Sequence, residues 1–210
     1  MDFVLDTVEA RVLGSLIEKE TTTPEYYPMS LNALVNACNQ KSNRDPAVSY
    51  DDETVELAIE TLKPKGLALT ITGAGSRVAK FGHRLTEKLN LGRREMALIC
   101  ELLLRGPQTV GELKNRADRM HRFNDLEEVE SVLEHMSELV TKLPRRPGEK
   151  EQRYAHLLSG EPRVETISEP MDTAPSRTDR IGVLELEVAR QREVLEDLKR
   201  QLADFRRQFE

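Results

Sequence analysis

Arg145, Arg146, Lys150 and Arg153 crowd a short stretch whose tip reads Arg-Arg-Pro-Gly-Glu-Lys, and cations this close together on a turn suit phosphate contact. A second basic set, Lys114, Arg116, Arg119 and Arg122, recurs at helical spacing shortly before it. Lys41, Arg44, Arg77 and Lys80 form a third set nearer the N-terminus, with Asn39, Gln40 and Asn43 as hydrogen-bonding neighbours. Contact by these sets has to be local, because the whole chain carries a net charge of −6. Residues 1–85 hold 9 basic and 12 acidic side chains, 86–160 hold 13 of each, and 161–210 hold 9 and 12, so no segment attracts phosphate in bulk.

Other chemistry finds no footing in the residue types. His83, His121, His135 and His156 lack paired metal-ligand spacing, no nucleophile sits in a recognisable turn, and no phosphate-binding loop is present. Cys38 and Cys100 lie far apart in apolar helical patterns and read as buried thiols. Gly73-x-Gly75 lies between two strand patterns and opens no helix, so it reads as a hairpin turn. These readings predict no enzyme, metal site or cofactor. The opening Met1–Asp6 lacks a secretory pattern and apolar runs are short, which predicts a cytoplasmic protein without a membrane partner.

The elements that position these residues occur twice. Glu9–Ile17 returns as Glu95–Leu103, and Ser30-Leu31-Asn32-Ala33-Leu34 returns as Thr109-Val110-Gly111-Glu112-Leu113. Val55-Glu56 with Ile59-Glu60 matches Val129-Glu130 with Leu133-Glu134, and Arg77–Phe81 matches Arg153–Leu157 by residue type. Conserved order over this length implies duplicated domains at 1–85 and 86–160. In the first copy Asp6 caps a helix over 7–19, Ser30 caps one over 30–40, and a third spans 52–65. Strands over 67–72 and 77–81 follow. The second copy repeats the plan with helices over 93–105, 109–119 and 125–138 and strands over 140–144 and 152–158. Three helices and a hairpin describe a winged helix-turn-helix, so the expected fold is mainly α with small β-hairpins, in two tandem winged domains.

Such a domain ordinarily reads DNA by placing its third helix in the major groove. Here the outward positions are Asp52, Glu53, Glu56 and Glu60 in one copy and Glu127, Glu128, Glu130, Glu134 and Glu138 in the other. Any contact with double-stranded DNA therefore falls to wings and loops, as expected of a DNA-associated regulator touching phosphates. The alternative is a protein–protein adaptor whose acidic third helices meet a protein partner.

The stretches Thr21–Pro28 and Asn36–Pro46, together with Gly75-Ser76-Arg77-Val78, Leu102–Thr109 and Arg153–Leu157, resemble the bacterial YceH-like family. The resemblance covers about residues 7–160. It implies tandem winged-helix domains and assigns no activity.

Beyond it, 161–180 read as a flexible linker with Pro162, Pro170 and Pro175. Ile181, Leu184, Val188, Gln191, Leu195, Leu198, Leu202, Phe205 and Phe209 then alternate three and four apart, the seam of a coiled-coil helix over 181–210. The pattern predicts a homodimer through this C-terminal helix, the alternative being a helix packed back on its own winged domains.

Overall fold

A computed structural model describes residues 3–72, 78–145, 148–149 and 151–162. These residues fall within one compact unit. The linker beyond Pro162 and the heptad positions Ile181 to Phe209 lie outside the described residues, as do Arg77, Arg146 and Lys150.

The chain runs α1 (Thr7–Thr22), a short 3-10 turn (Pro24–Tyr26), β1 (Met29–Ser30), α2 (Leu31–Cys38), α3 (Asp52–Leu62), β2 (Ala68–Ile71) and β3 (Lys80–His83). A short α4 (Leu85–Leu89) connects to α5 (Arg93–Arg105), α6 (Val110–Ala117), α7 (Leu126–His135), β4 (Val140–Lys142) and β5 (Tyr154–His156). The helix starts follow local polar chemistry. Asp6 and Glu9 exchange hydrogen bonds in a capping box, and Thr109 and Glu112 do the same for α6. Ser30, Asp51 and Asp125 cap α2, α3 and α7. α3 ends at Leu62, short of the expected 65: Lys63 still has helical angles and donates to Ile59 C=O at 3.1 Å, but Pro64 has no N–H with which to carry the helix on.

The strands differ from expectation in one informative way. β3 begins at Lys80, with Val78 and Ala79 outside it, and β1 pairs Met29 with Phe81 and Ser30 with Lys80. The sheet order is β1-β3-β2. In the second half Gln108 bridges Tyr154, and β4 pairs with β5. Phe81, Gly82 and His83 thus correspond to Tyr154, Ala155 and His156, three residues out of step with the match by residue type. Pairing partners, and not residue resemblance, fix strand register.

One buried apolar cluster runs through both halves, from Leu13, Leu16 and Ile17 of α1 to Leu98, Ile99 and Leu102 of α5. α1 packs along α5, and Gly14 sits at the contact. A Cβ there would lie 2.9 Å from both Leu104 Cγ and Cδ2 and 3.1 Å from Leu103 Cβ. The Cys100 thiol donates to the Gly14 carbonyl at 3.3 Å. The chain start crosses over as well, with Leu5 N–H donating to Leu158 C=O at 2.8 Å.

Replacing Gly14 with Leu must push these helices apart. The expected loss is about 1–3 kcal/mol from overpacking, read by urea unfolding followed by circular dichroism; an unchanged midpoint would show that the helices do not meet there.

Candidate functional site

The loop from Asn39 to Asp51 is held by side chains and not by regular structure. Asn39 donates to Tyr50 C=O at 2.7 Å and accepts from Tyr50 N–H at 2.8 Å. Arg11, 4% exposed, donates to Pro46 C=O at 2.6 Å and to Cys38 C=O at 3.3 Å. Arg44 turns inward. It pairs with Glu18 at 2.7 Å and donates through Nε and Nη2 to Ala37 C=O at 3.1 and 2.9 Å. The loop also reaches the second half: Arg105 donates to Asn43 at 2.7 Å, and Asp45 N–H donates to Leu104 C=O at 3.0 Å.

Arg44 is therefore a correction to the phosphate-contact set. At 5% exposure, with its charge matched by Glu18, it joins α1 to the loop and offers nothing to a ligand. Two other candidates are engaged internally. Arg116 donates to Gln108 at 2.7 Å and to Glu112 at 3.2 Å. Arg153 pairs with Glu112 at 2.8 Å and Glu149 at 3.4 Å, and donates to Pro107 C=O at 3.1 Å. Burial works against ionised Glu112, but the Thr109 N–H and these two arginines hold its carboxyl below the usual range.

Lys41, Lys80, Arg119 and Arg145 are exposed and Lys114 is half-buried, all without a carboxylate partner among the described residues. Arg122, also exposed, lies 3.8 Å from Asp118. Arg145 lines a groove of about 330 Å³ with Val110, Gly111, Leu126, Glu130 and Lys142. Lys142, whose ammonium lies 5.5 Å from the centre of the Tyr154 ring, escaped the sequence reading because it is the last residue of a strand and stands apart from the basic runs. The groove carries acid and base together, so it is not a simple anion site.

The faces of α3 and α7 are uniform by comparison. Glu53, Glu56 and Glu60 of α3 occupy the same positions as Glu127, Glu130 and Glu134 of α7, and all six are exposed. Only Glu60 has an ion-pair partner among the described residues, Lys63 at 2.6 Å. Leu57, 65% exposed, and Leu126, 50% exposed, stand among these acids.

Cys38, Cys100 and His83 are buried and His156 is half-buried. Burial pushes the Cys38 thiol up to about 11 and holds the Cys100 thiol well above its ordinary value. Burial pulls His156 down to about 4, so its imidazole is neutral. His83 Nε2 lies 2.8 Å from Glu20, while its Nδ1 accepts from Leu85 N–H at 3.2 Å. Among the described residues no group of three His, Cys, Asp or Glu is placed to hold a metal, and no helix is long and apolar enough to cross a membrane.

Fold and surface thus define a mixed α/β protein of two matching halves, each with three principal helices and a small antiparallel sheet, fused through a shared core. Residues 5–149 match the family described as "Protein of unknown function, DUF480", and the chain belongs to that family. It is similar over its full length, and over theirs, to the UPF0502 proteins of Solibacter usitatus, at 56% identity over 214 residues, and Pelobacter propionicus, at 52% over 220. The UPF0502 protein of Citrifermentans bemidjiense is 54% identical over 191 residues, covering 89% of this chain and 88% of its own.

Arg44 supplies the test of the internal network. Burial would raise the Glu18 carboxyl, but the hydrogen bond and charge of Arg44, helped by Lys19, hold it below the usual range. A lowered carboxyl contributes stability that is present above its unfolded value and is lost as pH falls through its folded one. Arg44→Met should cost roughly 3–5 kcal/mol at neutral pH, because it leaves a buried charge. The variant's deficit should shrink toward acid pH as Glu18 is protonated. Urea unfolding across pH reads both, and a deficit independent of pH would contradict the pairing.

Proposed function

We propose that each half is a winged helix-turn-helix and that the pair is a non-enzymatic, cytoplasmic docking module for a basic protein partner. The element order supports the winged-helix reading: helix, short strand or bridge, two helices, then a hairpin whose second strand sits between the first strand and its mate. The observation that carries the docking reading is the repeated acidic triad, Glu53, Glu56 and Glu60 with Glu127, Glu130 and Glu134, on the helices that would otherwise enter a DNA groove. Like charges three and four apart on a helix cost a few tenths of a kcal/mol per pair. A surface that keeps them in both copies, beside exposed Leu57 and Leu126, complements lysine- and arginine-rich protein with an apolar anchor. The heptad pattern from Ile181 to Phe209 adds self-association to the proposal.

A second reading is phosphate contact by the hairpin of the second half. It is favoured by Lys142 and Arg145, which are exposed, line the same groove and are unpaired with acid among the described residues.

Neutralising the triads separates docking from mere solvation of a surface. A variant with Glu56, Glu130 and Glu134 all changed to Gln should be as stable as the parent or more so by about 0.5 kcal/mol. In affinity capture from cell extract it should lose a protein that the parent retains in a salt-sensitive manner. Identical captured proteins for both chains would contradict the docking reading.

A further inference from the structure

Two buried carboxylates meet the seam between the halves, and they are held in different ways. Glu18 of α1 accepts a hydrogen bond from Arg44 at 2.7 Å and lies 3.1 Å from Lys19. Glu101 of α5, 3% exposed, faces Arg105 one turn away, with Oε2 3.4 Å from Nε. Neither of those two atoms has a hydrogen-bond partner, so the contact is one of charge alone. The other arm of Arg105 donates to Asn43, which brings the Asn39–Asp51 loop onto α5.

We propose that Glu101, Arg105 and Asn43 form a proton-operated clasp between the halves: ionised Glu101 keeps Arg105 against Asn43, and protonated Glu101 releases Arg105 and loosens the loop. The groups facing Glu101 come from every side, Arg105 on its own helix, Glu18 from α1, Arg116 from α6 and Arg44 from the loop. Burial holds the Glu101 carboxyl above the usual range despite the pull of Arg105, and Glu18 pushes the same way. The Glu18 carboxyl is held below that range, so on acidification Glu101 takes up a proton first.

The clasp has an unusual signature. A raised carboxyl binds its proton more readily in the folded chain, so its contribution to global stability increases as pH falls from its folded value toward its unfolded one. The loop should therefore loosen while Glu101 itself makes the fold no less stable. A change that opened the loop by unfolding the protein would do the reverse.

The test is hydrogen exchange on the full chain, with protection factors for Asn39–Asp51 measured from neutral pH down to the ordinary glutamate range. Urea unfolding at the same pH values accompanies it. Wild-type loop protection should fall several-fold across this window. In Glu101→Gln it should be low throughout and flat, with global stability at neutral pH equal to wild type or higher. His156 titrates in the same window in both proteins, so the difference between them isolates Glu101. Arg105→Met, which keeps the carboxylate and removes the donor to Asn43, should also show a loose loop at every pH. The clasp is overturned if Glu101→Gln retains the wild-type pH dependence, or if all three chains protect the loop equally.

Discussion

The close approach of α1 to α5 is the constraint from which the rest of the structure follows. Gly14 and Cys100 are repeat-equivalent positions, and they touch through the Cys100 thiol and the Gly14 carbonyl. The two halves thus meet through the same helix face, as the subunits of a symmetric dimer do. A side chain at Gly14 would separate the helices and open the apolar cluster that both halves share. Once the helices are this close, charged residues on their flanks are buried and need partners. Glu18, Arg44, Glu101 and Arg105 form that layer, and the Asn39–Asp51 loop is folded around it.

This arrangement decides which charges are left for function. Arg44 is buried in the seam, and Arg116 and Arg153 are gathered by Glu112. Glu53 and Glu56 of α3 and Glu127, Glu130 and Glu134 of α7 have no such duty among the described residues and remain outside in both copies. The exposed acids repeated on both third helices favour protein docking over groove insertion, because a third helix rich in Glu repels the phosphates that flank a major groove.

Much of the fold was legible because its signals are local. Asp6 with Glu9 and Thr109 with Glu112 announce helix starts from four residues of sequence. The acidic positions on α3 and α7 could be placed outward because Val55, Ile59, Val129 and Leu133 fix the inward face. Long-range pairing was not legible. The shift of the last strand depends on β1, a two-residue strand whose partner lies some fifty residues away in sequence. α4 is a single short turn with no periodicity to detect. Arg44 looked like a loop cation because nothing in its neighbourhood names Glu18, which is an α1 residue far earlier in the chain.

The claim that the outward faces serve protein and not nucleic acid is tested most directly by titrating the full chain onto a labelled mixed-sequence DNA duplex at low and at physiological salt. The account predicts no binding even at low salt. Salt-sensitive binding that disappears in Arg145→Glu would contradict it and place the second hairpin on DNA.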